Sequence, residues 1–204
     1  MMHCRANGHD IVALANLYPP KQSGKDELDS FVYQTVGHDA IQWYAECMDL
    51  PLIRREIHGT PKRQALDYET TIDDETEDLY ALLKEVKQRY PAVEAVSVGA
   101  ILSNYQRIRV EHVCQRLGLT SLAYLWQQDQ AELLNSMIDN GLQAILIKVA
   151  AMGLNERHLG KSLGEMQPAL MQLHDRFGLH VCGEGGEYET FTLDCPLFVK
   201  RLVV

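Results

Sequence analysis

Three apolar runs of strand length, set apart by segments patterned as helices, constrain this chain most. They are Ile11-Val12-Ala13-Leu14-Ala15-Asn16-Leu17 and the stretches 93–101 and 143–150. Continuous rather than alternating apolarity suits strands covered on both faces of a parallel sheet. Between and around them the spacing predicts helices over 30–49 (Ile41, Tyr44, Ala45 and Met48 on one face), 73–88 (Leu79, Leu82, Leu83, Val86), 105–117, 130–140 and 166–177. Residues 1–6 read as the last turns of a helix capped by Gly8. Shorter strands are expected over 52–57 and 121–126, a polar loop over 59–71, and loop and strand over 178–204. Asp74, Glu75 and Glu77 in the first turn of the 73–88 helix, with Lys84 and Lys87 in its last, complement the helix dipole. Gly118 and Gly141 stand where a left-handed cap ends a helix, and Pro168 is expected near the start of its helix, where a missing N–H is harmless. Strands alternating with helices predict an α/β fold with a parallel sheet and right-handed crossovers. The last third leaves that rhythm, so a boundary is placed near Thr120, dividing the chain into 1–119 and 120–204.

Charge and cysteine usage narrow the function. The 204 residues carry a net charge of −9, which disfavours non-specific binding to DNA, RNA or an anionic membrane. No apolar run approaches the roughly 18 residues of a spanning helix. The start Met1-Met2-His3-Cys4-Arg5 lacks the apolar stretch of a signal peptide, and the five scattered cysteines suit reduced thiols, so a cytoplasmic protein is expected. No cysteine pair has C-x-x-C spacing and no histidines form H-E-x-x-H, so no metal-ligand set is assigned.

Three segments can carry chemistry. Ser23-Gly24-Lys25-Asp26 could cradle phosphate, but it has one glycine, follows two prolines, and is crowded by Asp26, Glu27 and Asp29; an exposed polar loop is the better reading. The second runs from Val98-Gly99-Ala100-Ile101-Leu102-Ser103-Asn104-Tyr105-Gln106-Arg107-Ile108-Arg109 to Glu111, a buried strand turning into a helix. Ser103 and Gln106 have capping-box spacing, Gly99 leaves room for a ligand at the backbone, and such turns at carboxyl ends of parallel strands bind ligands. Arg107 and Arg109 oppose the helix dipole there, which makes sense if an anion is bound; equally, Arg107 can pair with Glu111 one turn on. In the third, Cys182-Gly183-Glu184-Gly185-Gly186-Glu187-Tyr188-Glu189-Thr190-Phe191, three glycines and three carboxylates fall within seven residues. Glycines permit a sharp turn, and clustered carboxylates call for a cation, whether a cationic substrate or Mg²⁺. From Glu187 the segment can alternate as a strand, with Glu187, Glu189, Phe191 and Leu193 on one face. Lys148, interrupting an apolar strand near its end, can reach an active site or snorkel to the surface.

Taken together, the Ile11–Leu17 run, Asp26-Glu27-Leu28-Asp29-Ser30, Tyr33-Gln34-Thr35-Val36-Gly37-His38, residues 97–111 and Gly183 through Phe198 resemble the diphthine–ammonia ligase family within the N-type ATP pyrophosphatases. The resemblance covers nearly the whole chain. It implies a Rossmann-like, nucleotide α-hydrolase-type domain followed by a smaller substrate domain. It implies an ATP-dependent reaction, with Mg²⁺ accompanying ATP, that adenylates the carboxylate of diphthine on translation elongation factor 2; ammonia from free ammonium then displaces AMP. Carried onto this sequence, Gly99, Ala100, Ser103, Tyr105 and Arg109 would bind the nucleotide, and Arg107, Glu184 and Glu187 would be catalytic. Gly183, Gly185, Gly186, Tyr188, Glu189, Thr190 and Lys148 would bind diphthine, with Tyr188 and the acids meeting its trimethylammonium group. The two segments would then face one cleft.

One departure is expected to matter. The family's S-G-G-K-D-S phosphate loop and the strand before it are not found in these residues, and Ser23–Asp26 aligns with the next loop. Impaired phosphate binding is therefore expected, and a non-catalytic module that holds the elongation factor is the alternative. A tRNA-modifying ligase on the same scaffold is disfavoured by the charge of −9. Homo-oligomerisation is left open.

Overall fold

A computed structural model describes residues 1–20, 28 and 30–204. The chain forms two compact units, Met1–Ala45 with Asp49–Trp126, and Glu46–Met48 with Gln127–Val204. In order along the chain come α1 (Met2–Ala6), β1 (Leu14–Tyr18), a 3₁₀ turn (His38–Ile41), α2 (Gln42–Met48), β2 (Leu52–Glu56), α3 (Glu75–Arg89), β3 (Ala95–Ser97), α4 (Asn104–Leu117) and β4 (Thr120–Leu122). These are followed by α5 (Gln130–Asp139), β5 (Gln143–Val149), a second 3₁₀ turn (Glu156–His158), α6 (Leu163–Phe177) and β6 (Tyr188–Asp194).

The first unit is built from parallel pairs, as expected. β1 runs parallel to β2, with Leu14 opposite Leu52 and Tyr18 opposite Glu56, and β3 runs parallel to β4, with Ala95 opposite Thr120. Leu17, Ile53 and Ile57 pack under Leu82 and Val86 of α3, while Leu83 of α3 joins Val110, Val113 and Cys114 of α4. α3 thus belongs to both cores. In the second unit β5 and β6 pair antiparallel, and Ala144, Leu146 and Tyr188 pack against Leu134 of α5 and Leu163, Met166 and Leu170 of α6.

The helix ends follow the glycines. Gly8 lies at φ +80, with Gly8 N–H bonded to Arg5 O and His9 N–H to Cys4 O, the two bonds of a Schellman motif. Gly118 (φ +63) and Gly141 (φ +78) close α4 and α5 in the same way.

Several expectations are corrected. The helix expected over 30–49 is helical only from His38. Ser30 Oγ accepts the N–H groups of Val32 and Tyr33 and Thr35 Oγ1 accepts that of Leu28, but the left-handed Gly37 (φ 74) stands between this turn and the helical residues from His38. The 93–101 strand shrinks to Ala95–Ser97, and the 121–126 strand to Thr120–Leu122. β1 is not covered on both faces: Leu17 alone is fully buried and Ala15 is exposed. α6 starts three residues early because Ser162 and Glu165 form a full capping box, which places Pro168 inside the helix. No described helix is long and apolar enough to cross a membrane.

Candidate functional site

The loops that leave the carboxyl ends of β1, β2 and β3 meet at the first turns of α3 and α4. Open α/β sheets bind ligands on this side. The loop after β2 has no secondary structure of its own, yet its amides are fastened. Asp78 Oδ2 accepts the N–H groups of His58 (2.9 Å) and Gly59 (2.8 Å), and Asp74 Oδ2 accepts those of Lys62 (3.0 Å) and Arg63 (3.0 Å). Asp74 Oδ1 meanwhile caps α3 through Thr76 N–H at 2.9 Å. Gly59 passes so close to α3 that a Cβ there would lie 2.5 Å from Asp74 C and Glu75 N. Of these two acids the sequence pattern marked only Asp74, as a partner of the helix dipole. The signal available was the Asp74–Asp78 spacing, one helical turn, together with a glycine in the preceding loop.

α4 gathers the three loops. Ser103 caps it by accepting Gln106 N–H at 3.3 Å. The reciprocal half of the expected box is not made, because Gln106 Nε2 donates instead to Phe31 O of the loop after β1 (3.2 Å). Tyr105 O–H donates to Arg63 O of the loop after β2 (3.3 Å), and its ring meets Phe31 edge-on at 5.9 Å. Gly99 has nothing within 4 Å of a built Cβ, so its main chain is open to approach, whereas Ala100 is buried.

The two arginines meet different partners, and Arg107 takes the pairing with Glu111 that its spacing allows. Residues two apart on a helix point to different sides. Arg107 lies on the outer side, where it bonds both carboxylate oxygens of Glu111 (2.8 and 2.9 Å), reaches Asn104 Oδ1 (3.2 Å) and stacks 4.7 Å from the Trp126 ring centroid. Arg109 is wholly buried; it donates to the carbonyls of Arg63, Ala65 (3.1 Å) and Tyr105 (3.2 Å) and lies beside the rings of Tyr105 and Tyr68.

Glu75, the first residue of α3, is 1% exposed and its Oε1 has no hydrogen-bond partner. Burial pushes its carboxyl above the ordinary range, against the opposing pull of Ser30, Phe31 and Arg109. Asp74 behaves oppositely: burial raises it, but the amides of Arg63, Thr76 and Lys62 outweigh burial and hold it below its usual value. Tyr33, which donates to Glu75 O at 3.1 Å, is raised by burial and by the nearby carboxylates.

In the second unit the acidic turn is closed by one of its own acids. Glu187 Oε1 accepts His180 N–H (3.1 Å) and Oε2 accepts Gly185 N–H (2.8 Å), while Gly183 N–H meets His180 O and Gly186 N–H meets Gly183 O. The glycines are required locally. Gly183 (φ +73) would place a Cβ 2.9 Å from Tyr188 O, Gly185 would place one 3.0 Å from the Glu187 carboxylate, and Gly186 lies at φ +79. Glu187 thereby shapes the turn. Tyr188 is 3% exposed, its hydroxyl donates to Val181 O at 2.5 Å, and its ring belongs to the core. Glu184 stays half-exposed at the tip.

Lys148 pairs with Glu189, Nζ to Oε1 3.1 Å, directly across the β5–β6 ladder. In a regular strand it would follow Ala144 and Leu146 onto the core face. The ladder skips one β5 residue between Leu146 (opposite Thr190) and Lys148 (opposite Glu189), and this bulge turns the lysine out of the core. His180, which sequence reasoning passed over, accepts Cys182 N–H at Nδ1 (3.3 Å) and is held below the usual histidine range by burial. Burial pushes the Cys182 thiol up to about 11, which removes it as a nucleophile. Among the described residues, no group of three or more His, Cys, Asp or Glu is placed to hold a metal ion. Ser23-Gly24-Lys25-Asp26 lies outside the described residues.

Known proteins share both units. Residues 7–121 match the family model of the diphthamide synthase N-terminal domain, and residues 129–204 that of the diphthamide synthase C-terminal domain. The diphthine–ammonia ligase of Schizosaccharomyces pombe is 63% identical over 204 residues, which is 100% of this chain and 33% of that protein. Those of Rattus norvegicus and Homo sapiens are 61% and 60% identical over 206 residues, again 100% of this chain and 77% of each of them. The chain therefore spans about a third of the fission-yeast relative and about three quarters of the mammalian ones. Two family models and an identity near 60% along its whole length place this chain in the diphthine–ammonia ligase family.

Proposed function

We propose that this chain serves the ATP-dependent amidation of diphthine on translation elongation factor 2, with ammonium as the nitrogen source. The observation that carries the reading is the meeting of three carboxyl-end loops at the start of α4 in a chain of this family. In this reading residues 1–119 bind the nucleotide and residues 120–204 the diphthine. The open main chain at Gly99 and the cap at Ser103 suit the nucleoside part of the ligand. ATP, with the Mg²⁺ it carries, supplies the adenylyl group that activates the diphthine carboxylate for attack by ammonia. Glu184, at the tip of a turn fixed by Glu187 and the glycines, offers negative charge to the trimethylammonium group. The Lys148–Glu189 pair on β5 and β6 fixes the charge beside that turn. Phosphate recognition is not assigned to Arg107 or Arg109, since both are committed to protein partners.

That same commitment favours a second reading, a non-catalytic module that holds the elongation factor. AMP release separates the two. The 204-residue chain is given ATP, ammonium and elongation factor 2 isolated at the diphthine stage. Factor-dependent AMP formation is expected. Retention of the factor with no AMP would leave only the binding module.

A further inference from the structure

Arg109 is the most completely buried cation described, and it donates to three main-chain carbonyls. It is 0% exposed, and its donors go to the carbonyls of Arg63 and Ala65 across the loop after β2 and to Tyr105 O on its own helix. Its guanidinium carbon lies 3.2 Å from the Tyr105 ring centroid and 5.2 Å from that of Tyr68. On the opposite side of the same loop, Asp74 accepts the amides of Lys62 and Arg63. Residues 62–65 are thus gripped by an acid from α3 through their N–H groups and by a base from α4 through their C=O groups. A sheet would do the same with neighbouring strands; here two helices do it with side chains.

We infer that Arg109 is a positioning residue, the clamp that sets residues 61–67 against the Gly99–Tyr105 turn and so fixes one wall of the nucleotide site. The role needs a guanidinium. One planar fork reaches two loop carbonyls and its own helix beside two aromatic rings, and an ammonium is a point donor without that geometry. Burying a charge with carbonyls rather than a carboxylate as its direct partners is costly, and the nearest compensation is the field of Glu75. A residue whose only service was core packing would not carry that cost. The consequence for nucleotide binding rests on the function proposed above; the clamp itself does not.

The test compares Arg109→Lys and Arg109→Ala with the unaltered 204-residue chain by amide hydrogen exchange, together with calorimetric binding of AMP. Exchange at residues 62–67 is expected to rise by about tenfold or more in both variants, while Leu82–Val86 of α3 stays protected. Added guanidinium ion should restore protection in Arg109→Ala, and AMP affinity should fall in step with loop protection. If Arg109→Ala does not fold, Arg109→Lys carries the same reading. The inference is overturned if lysine restores the loop, if both variants lose protection across α3 as well, or if AMP binding is lost with the loop still protected, which would make Arg109 a direct ligand. Failure of the unaltered chain to bind any nucleotide would instead sink the proposed function, and the exchange data would still decide the clamp.

Discussion

Replacing Asp74 should cost the first unit more than any exposed acid in the molecule. The carboxylate caps α3 through Thr76 N–H and holds the amides of Lys62 and Arg63. Losing a cap costs about 1 kcal/mol. Each abandoned loop amide costs about 1 kcal/mol more, the low end of the range, because the loop around it is exposed and water can reach the freed group. Asp74→Ala should therefore lose about 3 kcal/mol. Asp74→Asn keeps one carbonyl oxygen, which can serve the cap or the loop but not both, so about 2 kcal/mol is expected. Both tryptophans, Trp43 and Trp126, lie in the first unit, so their fluorescence reports that unit alone during urea unfolding. With a urea slope of about 2 kcal/mol per M, Asp74→Asn should move the midpoint by about 1 M. The pH dependence supplies a second check. A carboxyl held below its usual value stabilises the fold above the unfolded pKa, and that stability is lost as pH falls through the lowered native pKa. The gap between Asp74→Asn and the unaltered chain should thus be full at pH 7 and shrink on acidification below about pH 4. Equal midpoints at pH 7, or a gap that persists unchanged in acid, would refute the reasoning.

Glu75→Gln should act with the opposite sign. Burial raises the Glu75 carboxyl, so its ionised form penalises the fold at neutral pH and the penalty fades as pH falls; the glutamine variant should match or exceed the unaltered chain at pH 7 by urea midpoint, with its advantage vanishing in the carboxylate range. A clear loss at pH 7 would mean that attraction to Arg109 outweighs burial. Tyr188→Phe should cost about 1 kcal/mol through the lost bond to Val181 O, yet leave tetramethylammonium binding by NMR titration untouched, because the ring is core. Gly183→Ala should cost about 2 kcal/mol or more and raise hydrogen exchange at Gly185, since it meets both a left-handed φ and the Tyr188 carbonyl.

What the sequence made legible were features closed by neighbours a few residues away. The ends of α4 and α5 could be read from Gly118 and Gly141, and the Ser103 cap from its spacing to Gln106. The parallel pairing of β1 with β2 and β3 with β4 followed from strands separated by helices. Illegible were features decided at long range. Nothing local says that Asp78 will accept Gly59 N–H, or that Gln106 will leave its own cap for Phe31 O. The helix expected over 30–37 is interrupted before His38 by the left-handed Gly37, which apolar spacing does not register. In the candidate sites, the motifs marked segments but not the partners of each side chain. Arg107 and Arg109 looked alike in sequence and lie on different sides of one helix. Tyr188 looked like a cation platform and is core, because the turn before it folds Gly183 onto its ring.

The loop after β2 has a consequence for how the first unit assembles. Its amides wait for the carboxylates of Asp74 and Asp78 and its carbonyls for a guanidinium on α4, so residues 63–65 cannot settle fully until both helices have docked. It is expected to be among the last segments to order, with native contacts largely unformed in the folding transition state. Substitutions at Gln64 or Leu66 should then alter unfolding rates rather than folding rates. A wall of the nucleotide site would thus take shape only after the scaffold that positions it is complete, and a ligand seated there would hold closed the segment that opens first.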